Sequence, residues 1–114
     1  MERLLLTSNR DPRKDSRVAE MVRIGAGVGA WKKIRVDLFF RGRAALALDE
    51  FPDELADGNL LQEYLAGIQN HGGQIYVDAG NAFVKKIQSA CKFKELSDSE
   101  FRKLLRQTRY CINL

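Results

Sequence analysis

With 114 residues, 45% of them hydrophobic and 30% charged, the chain is long enough for one core and too short for two, so a single domain over residues 1–114 is expected. That balance excludes a disordered or fibrous chain, and no apolar run approaches the roughly 20 residues of a membrane span. The net charge of +4 is segregated: nine Lys/Arg against four Asp/Glu over residues 1–35, two against eight over 36–84, and eight against three over 85–114.

The opening Met1-Glu2-Arg3 and its three leucines are shorter than the apolar core of a signal peptide, which points to a cytoplasmic location. Leu4-Leu5-Leu6-Thr7 has the continuous apolar character of a central strand, and a polar segment from Ser8 to Asp15 follows. Asp15 or Ser16 is placed to cap a helix whose inward face, Val18, Met21, Val22, Gly25 and Val28, recurs at helical spacing. Ile34-Arg35-Val36-Asp37-Leu38-Phe39-Phe40 is the strongest strand signal. Arg41-Gly42-Arg43 ends it, Ala44 to Leu48 read as helical, and Phe51-Pro52-Asp53 breaks that segment. Leu61, Tyr64, Leu65 and Ile68 mark the next helix, which His71-Gly72-Gly73 closes. Ile75-Tyr76-Val77 is a third strand turning at Asp78, after which Asn81 is placed to cap a helix running to about Cys91 and leaving first-turn N–H groups free for a ligand. Phe93 to Leu96 form a short edge strand. Ser97-Asp98-Ser99-Glu100 is a capping box for a helix buried through Phe101, Leu104 and Leu105, and Arg109 to Leu114 form the last strand.

Strands alternating with helices through short links imply an α/β fold: three α/β/α layers around a mostly parallel sheet of about five strands. In such sheets the ligand crevice opens beyond the carboxyl ends of the strands. The loops expected there supply the candidate ligand-binding residues Ser8, Asn9, Arg41, Asp78, Gly80 and Asn81, suited to a small polar or anionic ligand. Asp78, beside a helix start, has two readings: a base or ligand partner, or an acceptor of N–H bonds in its own turn. Ser8 has no histidine near it in sequence to activate it as a nucleophile. His71, the sole histidine, stands at a helix C-terminus, which favours the imidazolium without any catalytic role.

Several patterns resolve into structural roles. Gly25-Ala26-Gly27-Val28-Gly29-Ala30 matches the dinucleotide fingerprint letter for letter, but a helix precedes it and a strand follows, the reverse of what phosphate binding requires. Small residues for close helix packing are the alternative. The basic residues are spread over several elements without interleaved aromatics, so nucleic-acid binding rests on charge alone; complementary acidic and basic segments equally suit self-association. Cys91 and Cys111 lack the spacing of a zinc site or disulfide framework. Both read as small core residues, Cys91 partly buried in the helix after Asn81 and Cys111 buried in the last strand. No metal ligand set, no cofactor site and no catalytic group is assigned.

The order of these elements, the Val36-Asp37-Leu38-Phe39-Phe40 strand with its following glycine, and Gly73 to Ile87 resemble the DsrE/DsrF-like, or YchN-like, sulfur-relay family. The resemblance covers nearly the whole chain. It implies a small α/β protein that assembles as a trimer or hexamer and has sulfur-relay proteins as partners. In the family the third strand ends Tyr-Val-Cys, with a second cysteine often three residues on, then alanine and an Arg-Gly pair. Here Tyr76, Val77 and Ala82 match, while Asp78 and Asn81 occupy the cysteine positions and Lys85-Lys86 replace Arg-Gly. The resemblance therefore implies a relative without the persulfide-carrying thiolate, a noncatalytic binding or structural subunit. The alternatives are a small-molecule or anion-binding protein or enzyme using Asp78, and a nucleic-acid-binding module.

Overall fold

The structure, a computed structural model, describes residues 1–49 and 58–114; the expected break at Phe51-Pro52-Asp53 lies outside the described residues. Five strands, β1 (Glu2–Ser8), β2 (Ile34–Phe40), β3 (Ile75–Asp78), β4 (Lys94–Leu96) and β5 (Tyr110–Asn113), form one sheet in the order β4-β3-β2-β1-β5. Every neighbouring pair is parallel, with Leu4 opposite Val36, Phe39 opposite Tyr76 and Thr7 opposite Asn113. The strands steep in Val, Leu, Ile and Phe are the central ones because a parallel sheet buries both faces.

Strand order dictates where the helices lie. Stepping from β1 through β4 in one direction with right-handed crossovers keeps the connections on one face, and the return to β5 moves its connection to the other. On the first face, Leu4, Leu6, Val36, Leu38, Phe40, Ile75 and Val77 pack against Val18, Met21 and Val22 of α1 (Arg17–Gly29) and Leu61, Leu65 and Ile68 of α2 (Gly58–Asn70). On the second, Leu5, Phe39 and Tyr76 meet Leu104, with Phe101 and Leu105, of α3 (Asp98–Gln107). At about 1.5–3 kcal/mol per fully buried large apolar side chain, the first face carries most of the stabilisation.

The rest of the second face holds a charged cluster. Asp37, 1% exposed, accepts hydrogen bonds from Arg3 Nη2 at 3.0 Å, Arg35 Nε at 3.0 Å and the Gln74 N–H at 2.8 Å. Paired and hydrogen-bonded in this way, a buried carboxylate is tolerated in mid-strand. Burial, and next the Asp37 charge, raise the Tyr76 phenol above its ordinary value.

The glycine-rich segment lies within α1, as its sequence context requires. Gly25 faces Ile68, Val36 and Leu38 so closely that a Cβ would come within 3.2–3.3 Å of their side chains. Its role is helix-to-sheet approach, with no phosphate loop.

Two expected helices take other forms. Gly42–Leu48 is a 3-10 segment, with Ala44, Ala45, Ala47 and Leu48 buried. Beyond Asn81 there is only a short 3-10 turn, Val84–Lys86, in place of a helix to Cys91. Ile87 turns extended, the Ala90 N–H donates to the Leu48 carbonyl, and Asp49 bridges Ser89. Tertiary bonds to the 3-10 segment thus take the backbone groups that a helix would have used, and β-branched Val84 and Ile87 favour the exchange.

Candidate functional site

The carboxyl edge of the sheet is built from three chain turns. At the end of β3, Asp78 Oδ1 accepts from the Gly42 N–H at 3.1 Å and from Asn81 Nδ2 at 2.7 Å. Asn81, 4% exposed, also donates from Nδ2 to the Gly42 carbonyl at 3.0 Å and accepts the N–H groups of Phe83 and Val84 at 2.8 and 2.9 Å. One buried amide and one carboxylate therefore tie the loop after β2 to the loop after β3. Both loops turn through left-handed glycines, Gly42 at φ 54° and Gly80 at φ 75°, a conformation that glycine adopts without a Cβ penalty.

This lock fixes the meaning of two expectations. The helix Asn81 was expected to cap does not form, and the N-cap of the 3-10 turn in its place is Phe83; the N–H groups expected to stay free, those of Phe83 and Val84, are accepted by Asn81 Oδ1. Asp78 Oδ1 does not accept backbone N–H groups of its own turn as expected: it accepts the Gly42 N–H from the loop after β2 and the side-chain amide of Asn81.

Beside the lock opens a cleft of about 310 Å³ lined by Phe39, Arg41, Asp78, Leu96, Asp98 and Phe101, among others. Arg41 is its cation. The guanidinium carbon lies 5.8 Å from the Phe39 ring centre and 5.7 Å from that of Phe101, and these two rings tilt against each other at 4.8 Å. Two aromatic faces thus hold the guanidinium over the cleft by cation–π attraction. The N-terminus of α3 also lines the cleft through Ser97 and Asp98; there Ser97 Oγ accepts the Glu100 N–H and Glu100 accepts the Ser97 N–H. The hydrogen bonds from Ser97 lower the pKa of the Glu100 carboxyl. With the Arg41 guanidinium and the carboxyl-bearing Asp78 and Asp98 all among its lining residues, the cleft offers both signs of charge beside apolar side chains.

Of the sequence-derived candidates, Arg41 and Asp78 share this cleft. Asn81 lies buried next to it, and Gly80 is an exposed turn residue. Ser8 and Asn9 are placed elsewhere: Ser8 is fully buried, its Oγ accepting the Arg10 N–H and its carbonyl accepting the Arg41 N–H. Asn9 is exposed. The loop carrying it leans towards β5, where Arg10 Nε donates to the Leu114 carbonyl. Phe39, Leu96, Asp98 and Phe101 were not singled out as cleft residues. The signal was present: in an all-parallel sheet the capping box after β4 must start at the same edge as the ends of β2 and β3.

Cys91 is half-buried against the main core, and burial raises its thiol pKa. Cys111 contradicts the expectation of a core residue: it is exposed, because β5 is an edge strand whose four residues are all exposed. Its thiol is also raised, by partial desolvation. His71 is exposed at the end of α2. Among the described residues no group of three or more His, Cys, Asp or Glu side chains is arranged to hold a metal, and no helix is long and apolar enough to cross a membrane.

No family model and no curated protein matches the chain by sequence. Its fold matches that of the YchN protein from E. coli over 100% of both chains, with a TM-score of 0.82 and 10% sequence identity. The fold is therefore YchN-like, as the element order implied.

Proposed function

We propose that the protein is a noncatalytic binding or structural subunit on the YchN-like fold, related to the cytoplasmic sulfur-relay assemblies of the DsrE/DsrF-like proteins and lacking their persulfide step. The observation that carries this reading is the hydrogen-bonded carboxylate of Asp78 at the end of β3, where the resembled family has its sulfur-carrying cysteine. A carboxylate bears no sulfane sulfur, and one oxygen of this one is engaged in holding two loops together. The two cysteines that remain are poor substitutes, since both thiols are raised and reactivity follows the thiolate fraction. Assembly as a trimer or hexamer, alone or with sulfur-relay proteins, belongs to the same reading.

The test is incubation of the purified chain with inorganic polysulfide, followed by mass spectrometry of intact protein and peptides. The expected result is no stoichiometric sulfur adduct that a thiol acceptor can remove. Transferable sulfur on Cys91 or Cys111 would restore sulfur transfer as the function.

The cleft favours a second reading, a binding site for a small polar ligand bearing an acid group. Arg41 makes no ion pair with a described carboxylate and is held in place by two rings, so its charge is positioned for a partner from outside. Native mass spectrometry of the gently purified protein checks this: a retained ligand lost in Arg41→Met supports it, and no ligand in either sample counts against it.

A further inference from the structure

The two edges of the sheet are treated differently. β4 closes one side with three residues, of which Lys94 and Glu95 are charged and exposed, the usual protection against a further strand. β5 closes the other with Tyr110-Cys111-Ile112-Asn113, which carries no charge, and leaves Tyr110 49% and Ile112 48% exposed. An uncharged, β-prone strand with open backbone groups is a template for another strand.

The backbone phase of that edge follows from one bond. The Leu114 N–H donates to the Thr7 carbonyl at 2.8 Å, in register with Thr7 opposite Asn113. Backbone groups alternate between neighbouring strands, so Ile112 and Leu114 address β1. Cys111 and Asn113 turn their N–H and C=O groups outward.

We propose that β5 pairs antiparallel with β5 of a second copy of this chain about a two-fold axis at Ile112, joining two five-stranded sheets into one. In that register Cys111 and Asn113 of one copy face Asn113 and Cys111 of the other, so four outward N–H groups meet four outward carbonyls. Ile112 lies opposite its own symmetry mate, and Tyr110 lies opposite Leu114 twice, giving apolar cross-strand pairs on one face. Arg109, the nearest charged side chain on the strand, stays three residues from the axis, so its two copies lie about 20 Å apart at roughly 3.3 Å per residue. The strand is thus complementary to itself in hydrogen bonds, apolar pairing and charge, as an isologous contact requires. Its lack of charge gives a charged foreign strand no advantage. This contact does not depend on the reading of Asp78 or on sulfur relay.

The register is tested by cross-linking. Ile112→Cys in a Cys91→Ser, Cys111→Ser background places two thiols at a non-hydrogen-bonded pair with Cα atoms about 4.5 Å apart, within disulfide reach. Mild oxidation at micromolar protein should give a covalent dimer. In the unaltered chain the two Cys111 Cα atoms would be about 8 Å apart, beyond that reach, and no Cys111 dimer is expected. Ile112→Lys places like charges opposite each other and should weaken self-association roughly 100-fold in analytical ultracentrifugation. Because Ile112 is half exposed, the circular dichroism spectrum should be kept; if that variant fails to fold, the cross-link decides. Of the two assemblies expected above, a hexamer built as a dimer of trimers can contain this two-fold contact and a trimer cannot, so a monomer, a trimer or any other odd-numbered assembly of the unaltered chain at micromolar concentration would overturn the proposal. So would a disulfide through Cys111 in place of position 112, or unchanged association of a folded Ile112→Lys.

Discussion

Asn81→Ala isolates the lock at the carboxyl edge of the sheet. The substitution removes four hydrogen bonds: two donated by Nδ2, to the Gly42 carbonyl and to Asp78, and two accepted by Oδ1 from Phe83 and Val84. Loss of a side chain that accepts backbone N–H groups as a cap does costs about 0.5–2 kcal/mol. The Gly42 carbonyl, half-buried and left without its amide partner, adds up to about 1 kcal/mol, since water can reach it in part. The sum is about 2 kcal/mol, and at roughly 3–6 °C per kcal/mol for a chain of this length the midpoint should fall by about 6–12 °C. Asn81→Ser keeps an acceptor for the two N–H groups but is too short to span the Gly42 carbonyl and Asp78, so it should recover about 1 kcal/mol. Urea and thermal unfolding followed by circular dichroism measure both. A loss below about 0.5 kcal/mol in Asn81→Ala would refute the view that this amide knits the loops.

Other consequences are as specific. Gly73→Ala should cost about 3 kcal/mol, because a Cβ there meets the backbone carbonyls of Val36 and Ile68, which cannot swing aside. Gly67→Ala, inside α2 with nothing within 4 Å of the added atom, should instead stabilise by about 0.5–1 kcal/mol; parallel unfolding curves decide both. Hydrogen bonds from Ser97 lower the Glu100 pKa beneath its ordinary 4.5, so the capping contribution is present above the unfolded value and lost as pH falls through the lowered folded one. Melting between pH 3 and pH 7 should therefore show a loss at the acid end that is smaller in Glu100→Gln. Iodoacetamide at pH 8 should label exposed Cys111 before half-buried Cys91, and equal rates would contradict their placement.

The fold was legible wherever local pattern and tertiary demand agree. Ile34–Phe40 could only be a central strand, and Ser97 with Glu100 announced α3 because both halves of the capping box lie within four residues. Legibility failed where long-range bonds override local preference. Nothing near Ala82 to Cys91 reveals that Ala90 will donate to Leu48, so a capped apolar segment reads as a helix when only one 3-10 turn forms. Cys111 failed for a related reason. Tyr-Cys-Ile looks like core in sequence, and its exposure follows only from β5 being placed at the sheet edge.

The site was legible to the same depth as the topology. Parallel strands force the ends of β1, β2 and β3 to one edge, which brings Arg41 and Asp78 together across a gap of 37 residues in sequence. Which neighbours complete the cleft depends on side chains crossing between strands, and there the aromatic pair of Phe39 and Phe101 matters most. Phe39 reads as core and Phe101 as the apolar face of a helix, yet together they position the Arg41 guanidinium. Asp78 illustrates the converse: its residue type marked a departure from the thiol chemistry of the family it resembles. The partners that give the carboxylate its present work, the Gly42 N–H and the Asn81 amide, come from a turn left after β2 and a side chain three residues downstream. An aspartate at this position is useful because the loops on both sides need an acceptor, a need that exists whether or not anything binds above it.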